Sequence, residues 1–138
     1  MKVYEVMTRG IETVSPGATL EFAAKKMMNR NVGFLPVVES EKLVGVVTDC
    51  DIVLRAVSAG LRPYMTTVGQ VMTKKPLTVY DDETLTEASL VMEKHFVHRL
   101  IVLDRQQHLV GIISLSDIAA KTKNERLSGH VLGKVVAA

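Results

Sequence analysis

The sequence predicts an α/β (α+β) protein built from two copies of one β-α-β-β-α unit, and two observations predict it. First, the chain repeats itself. Val6-Met7-Thr8 returns as Val71-Met72-Thr73, Thr13-Val14 as Thr78-Val79, Thr19-Leu20 as Thr84-Leu85, and Ala23 and Met27 as Ala88 and Met92, each 65 positions later. Gly45-Val46-Val47-Thr48 with Asp51-Ile52 then returns as Gly111-Ile112-Ile113-Ser114 with Asp117-Ile118, 66 positions later, so one residue is inserted in the turn between. Second, each copy carries a stretch with apolar residues at helical spacing beside short β-rich runs. A repeat of this length is a supersecondary unit too small to bury a sturdy core alone. Any ligand pocket is therefore expected as a related pair.

The elements follow in order. Ile11–Val14 reads as a short strand stopped by Ser15-Pro16-Gly17. Thr19 caps a helix to about Arg30, whose apolar face is Leu20, Ala23, Ala24, Met27 and Met28, and Asn31 and Gly33 end it. Phe34–Val38 and Leu43–Thr48 are paired strands joined by the polar turn Glu39–Lys42. A second helix is expected from Asp49 to Ala59, with Gly60 as its stop. In the second copy Thr84-Leu85-Thr86-Glu87 has capping-box spacing, Arg99–Leu103 and Leu109–Ser114 are strands, and Leu115–Lys121 starts the last helix. Thr67-Val68-Gly69-Gln70 reads as the start of a single helical turn before Met72. The expected domains are 1–62 and 63–124, with a tail at 125–138. Thr122–Ala138 reads either as a short helix packing on a partner subunit or as a frayed end.

The totals bound the class. In 138 residues, 47% hydrophobic content supports one compact body, and 4% aromatics with no Trp make its core aliphatic. A net charge of +2 without basic–aromatic stripes gives no nucleic-acid footprint. Apolar runs such as Leu43–Val47 are strand-sized, so no membrane span and no signal peptide are expected. The single cysteine, Cys50, excludes an internal disulfide and a Cys-based zinc cluster. His95 and His98 lack a third ligand, so no metal site is expected. No Walker-type loop and no catalytic constellation occurs, and the chain is expected to be a cytoplasmic protein that is not an enzyme.

The doubled pattern resembles the CBS domain, a family named for cystathionine β-synthase. The pattern runs Met-Thr, Thr-Val, a capped Thr-Leu helix, then two strands ending in Gly-apolar-apolar-Thr/Ser with an Asp three residues on. The chain looks like a stand-alone CBS pair, with the match covering about residues 1–121. The second copy, from Val97-His98-Arg99-Leu100 to Ser114-Leu115-Ser116-Asp117, is also similar to a nucleotide-binding repeat of the AMP-activated protein kinase gamma subunit. The resemblance implies a pseudo-twofold module whose clefts bind adenosine-containing ligands, and a flat homodimeric disc.

The residues suit such a ligand. A carboxylate is a strong acceptor for the paired hydroxyls of a ribose, and Asp51 and Asp117 lie in the first turn of their helices. Thr48 and Ser114 place hydroxyls at the strand-to-helix corner, where free backbone N–H groups favour an anion. Ser116 adds a hydroxyl where the first copy has Cys50. Each Asp is equally a natural helix cap. In the kinase-subunit resemblance a His-Arg pair at the place of His98 and Arg99 reaches phosphate, whereas the first copy has Gly33-Phe34 there. His98 is equally a histidine satisfied by local hydrogen bonds. Arg55 and Lys121, four residues after each Asp, guide phosphate or form surface acid–base pairs, the commoner arrangement. A flat adenine slot is expected from Thr13, Val14, Val32, Leu35 and Pro36 in one half and from Thr78, Val79, Val97, Leu100 and Ile101 in the other, all of which equally suit ordinary core.

The expected function is a regulatory module that binds AMP, ADP or ATP, needs no cofactor, and acts on an unidentified protein. The alternative is an interaction or dimerisation scaffold with degenerate clefts.

Overall fold

In the computed structural model, which describes residues 1–122 together with Gly129 and Leu132, the long helices start at the caps the sequence marks. Helix α2 (Leu20–Arg30) follows Thr19, whose hydroxyl accepts from the Phe22 N–H at 3.1 Å, and stops at Asn31 in the left-handed conformation. Helix α5 (Leu85–His95) begins with a full capping box. The Glu87 N–H donates to Thr84 Oγ1 (3.1 Å) and the Thr84 N–H donates back to Glu87 Oε2 (2.8 Å). It ends at Phe96, also left-handed. Both helices bury one stripe: Leu20, Ala23 and Met27 in α2, and Leu85, Ala88 and Met92 in α5.

Strands β1 (Phe34–Glu39) and β2 (Lys42–Thr48) pair antiparallel from Phe34↔Thr48 to Glu39↔Lys42. Ser40 and Glu41 join them with positive φ, as a two-residue hairpin turn demands. Strands β5 (Arg99–Leu103) and β6 (Leu109–Ser114) repeat the pairing from Arg99↔Ser114 to Leu103↔Leu109.

Contacts divide the chain into two compact units, and these differ from the sequence copies 1–62 and 63–124. One unit is Glu12–Pro76. The other is Met1–Ile11 together with the chain from Leu77 onward. The first holds α2, β1, β2, a turn of helix α3 (Asp49–Asp51), α4 (Val68–Val71) and β3 (Thr73–Lys74), with sheet order β1-β2-β3. The second holds α1 (Val3–Val6), β4 (Thr78–Tyr80), α5, β5, β6 and α6 (Leu115–Thr122), with order β4-β5-β6. Each copy thus opens with a segment that packs in the other copy's unit. Helix termini explain this in part, because their first N–H groups need acceptors from outside the helix. The Leu20 N–H donates to Thr66 O (2.9 Å), and the Leu85 N–H donates to Met1 O (3.1 Å). Val3 and Val6 in one unit, and Val68 and Val71 in the other, then close the two aliphatic cores.

Two sequence expectations are corrected. The strand at Ile11–Val14 shrinks to a single bridge, Val14↔Val37. Its counterpart β4 keeps a bond from the Ile101 N–H to Leu77 O (3.4 Å), and the residue equivalent to Ile101 is Pro36, which has no N–H to give. The helix expected over Asp49–Ala59 is one α-turn that continues as a π-helix over Ile52–Val57. Ser58 marks its end. Its hydroxyl donates to Leu54 O (2.5 Å), the carbonyl an α-helix would offer to the Ser58 N–H, and that N–H goes instead to Val53 O (3.1 Å). The helical turn expected at Thr67–Gln70 is α4. The expectations for Thr122–Ala138 otherwise lie outside the described residues.

Candidate functional site

Each unit carries one strand-to-helix corner with the same wiring. In Glu12–Pro76, strand β2 delivers Thr48 in extended conformation to the cap of α3. The Asp51 N–H donates to Thr48 Oγ1 (3.1 Å), and the Thr48 N–H donates to Asp51 Oδ2 (3.0 Å). In the other unit the Asp117 N–H donates to Ser114 Oγ (3.1 Å), while both the Ser114 N–H and its hydroxyl donate to Asp117 Oδ2 (2.9 Å each). Both carboxylates are therefore reciprocal caps, and in both the second oxygen, Oδ1, points away from the cap bond. Its partner is a threonine distant in sequence. Thr8 Oγ1 donates to Asp117 Oδ1 at 3.2 Å, and Thr73 Oγ1 lies 3.4 Å from Asp51 Oδ1.

Arg55 and Lys121 complete the wiring. Arg55 Nη1 donates to Val71 O (2.9 Å) and Met72 O (3.2 Å), with its Nε 3.7 Å from Asp51 Oδ1. Lys121 Nζ donates to Val6 O (2.8 Å) and Met7 O (3.4 Å). Both cations thus hold the carbonyl ends of the single-turn helices α4 and α1, where a positive charge is favourable. Chemically, each corner presents an anionic acceptor with spare lone pairs beside a helix N-terminus.

The remaining expected residues gather around these corners. Phe34 pairs with Thr48 and Arg99 with Ser114, and the Leu115 N–H donates to His98 O (2.8 Å), so His98 and Arg99 sit beside the second corner, both exposed. Ser116 is exposed on the first turn of α6. Thr78 pairs with Ile101, and the Val14 N–H donates to Pro36 O (3.0 Å). Thr13 offers its carbonyl to Lys26 Nζ. The side chains of Val14, Leu35, Val79 and Leu100 belong to the hydrophobic cores, with Val97 packed against one of them, and Pro36 is buried. Thr8 and Thr73, the hydroxyls of the repeated Met-Thr pair, are also brought to the corners, where the sequence reading did not place them.

The sequence model of the CBS domain matches residues 3–58 and again 68–123. The chain belongs to the CBS domain family. Its sequence is similar to the CBS domain-containing protein YhcV of Bacillus subtilis, 38% identical over 133 residues that cover 96% of this chain and 94% of that protein. Its fold is similar to CBSX2 in complex with AMP (TM-score 0.76, 27% identity, 91% of this chain and 98% of that one). It is also similar to the CBS domain pair of protein MJ0100 in complex with 5-methylthioadenosine and S-adenosyl-L-methionine (TM-score 0.77, 25% identity, 91% and 98%).

The two CBS repeats differ where the second has His98-Arg99. At Gly33 an added Cβ would lie 2.5 Å from Asp49 Oδ2, so the glycine leaves room for that carboxylate. Beside it runs a cleft of about 410 Å³, lined by Ala24, Met27, Met28 and Asn31 of α2, by Val32 and Gly33, and by Asp49, Ile52 and Val53. Val32, 40% exposed, is the expected site residue on its wall. Among the described residues no group of three His, Cys, Asp or Glu side chains could hold a metal ion, and no helix is long and apolar enough to cross a membrane.

Proposed function

We propose that this CBS pair is a regulatory module that binds an adenosine-containing ligand of the AMP, ADP or ATP class. The observation that carries the proposal is the paired carboxylate, Asp51 and Asp117, each fixed to its cap through Oδ2, with an Oδ1 met by a longer hydroxyl contact that a ligand hydroxyl could replace. A ribose supplies neighbouring hydroxyl donors to that oxygen. The AMP, 5-methylthioadenosine and S-adenosyl-L-methionine bound by similar CBS structures share that sugar. At the second corner His98 and Arg99, with Ser114 and Ser116, would receive phosphate, Arg99 through its planar fork. Regulation follows if the ligand favours one arrangement of the module over another. In this reading the chain catalyses no reaction, requires no cofactor, works in the cytoplasm as a homodimer and acts on a partner protein, and neither nucleic acid nor a membrane is its target.

Calorimetry with AMP, ADP and ATP on the unaltered protein and on Asp51→Asn with Asp117→Asn tests this. Asparagine keeps an oxygen for the backbone N–H of the cap, so the variant should fold. Loss of the charge-assisted bonds should weaken the best ligand by about tenfold or more. Unchanged affinity would remove the site assignment.

A scaffold with degenerate clefts is the second reading, favoured at the first corner by Gly33-Phe34 and the exposed Cys50 in place of His98-Arg99 and Ser116. A flat thermal-shift response to adenosine nucleotides and S-adenosylmethionine would select it.

A further inference from the structure

A hydroxyl from the chain itself meets each Oδ1, joined at Asp51 by Arg55 Nε at 3.7 Å, and it sits on a residue with a particular place in the connectivity. Thr8 lies three residues before the chain leaves one compact unit at Ile11, and Thr73 lies three residues before it leaves the other at Pro76. Both follow a methionine whose carbonyl is also held, Met7 by Lys121 and Met72 by Arg55. A carboxylate on each corner helix thus grips the stretch that leads into each crossing between the units.

We propose that the Thr8 and Thr73 hydroxyls are internal competitors of the ligand. Each occupies the carboxylate oxygen that a sugar hydroxyl would take, so ligand entry frees the threonine side chain and leaves the stretch before the crossing with the backbone pairing of Thr8 to Ile112 and of Thr73 to Val46. This rests on the reading of Asp51 and Asp117 as sugar acceptors. The two corners differ in grip. Thr8 meets Asp117 at 3.2 Å, while Thr73 stands 3.4 and 3.5 Å from the two oxygens of Asp51, near the limit for a useful bond. The second corner therefore has more to release. A ligand that must break a hydrogen bond to a charged acceptor binds more weakly by that amount, so removing the competitor tightens binding.

The test is AMP calorimetry on the full chain and on Thr8→Val, Thr8→Ser, Thr73→Val and Asp117→Asn, with thermal melts as the folding control. Thr8→Val should bind AMP about three- to tenfold more tightly. Thr8→Ser, which restores a hydroxyl, should match the unaltered protein, and Thr73→Val should gain less. Hydrogen exchange supplies the second readout. AMP should speed amide exchange at Arg9–Ile11 in the unaltered protein and leave it unchanged in Thr8→Val. Thr8→Ala replaces valine in both measurements if the valine variant melts early. Equal or weaker AMP binding in a well-folded Thr8→Val, while Asp117→Asn loses AMP, overturns the competition and leaves the binding function standing. AMP heats that are absent for the unaltered protein and Asp117→Asn alike overturn both.

Discussion

Met7 Sδ lies 2.8 Å from the point that a Cβ on Gly111 would occupy, and Met72 Sδ lies at the same distance from the corresponding point on Gly45. The Met-Thr stretch runs directly over the strand glycine in both units, with Thr8 O and Thr73 O equally close, at 2.8 and 2.7 Å. A sulfur can swing aside, but these carbonyls belong to backbone paired with the strand. Gly111→Ala and Gly45→Ala should each destabilise the protein by about 1–3 kcal/mol, the range for overpacking a filled site. Chemical denaturation measures it, and a variant as stable as the unaltered chain would show that the stretch shifts freely.

The bond from the Ile101 N–H to Leu77 O separates a real strand from a lone bridge. Ile101→Pro should copy the other unit's arrangement and remove that donor from the central strand β5. The expected cost is about 2–3 kcal/mol, together with lost exchange protection along β4. Retained protection at Val79 and Tyr80 would locate the strand's support elsewhere.

Two surface carboxylates should titrate low. Asp82 is held below the ordinary aspartate value first by hydrogen bonds from Arg105, whose guanidinium also stacks over Tyr80 at 4.1 Å. Asp104 is held down first by the His108 backbone N–H, at 2.8 Å. Their folded values lie below their unfolded ones. What they add to stability is therefore present above the ordinary aspartate value and lost as pH falls through the lowered folded one. In a carboxyl NMR titration, Arg105→Gln should raise Asp82 and leave Asp104 unmoved. An unmoved Asp82 would contradict the pairing.

Ser89 is buried to 3% exposure, and its hydroxyl has no hydrogen-bond partner among the described residues. The equivalent position in α2 is Ala24. Ser89→Ala should therefore stabilise the protein by about 1 kcal/mol in urea unfolding, because an unmet buried hydroxyl carries its full desolvation cost. A loss of stability would mean that the hydroxyl has a role in packing.

Much of this was legible in the sequence, because local chemistry set it. Thr19 and Thr84 mark helix starts, Asn31 marks a helix end, and Thr48-x-x-Asp51 and Ser114-x-x-Asp117 spell out reciprocal caps. The shortened first strand was also written there, in Pro36, but as a missing donor rather than a turn residue. The π-helix shifts the Ser58 N–H from Leu54 O to Val53 O, a change that apolar periodicity does not record. Least legible was the exchange of opening segments. The sequence repeat fixes which residues are equivalent, and equivalent residues can pack within their own copy or in the other with the same local pattern. The ties from Thr8 and Thr73 to the carboxylates depend on that exchange, so the candidate site was read without them.

One unit is an uninterrupted stretch of chain, while its companion needs chain from both sides of it. During translation the interior unit can be completed while Val3, Val6 and Met7 still await β6 and α6, which are made a hundred residues later. Those three apolar side chains then lack the β6 and α6 residues that cover them in the finished core. Vectorial synthesis therefore leaves this turn without its packing partners until the second half of the sequence has been made.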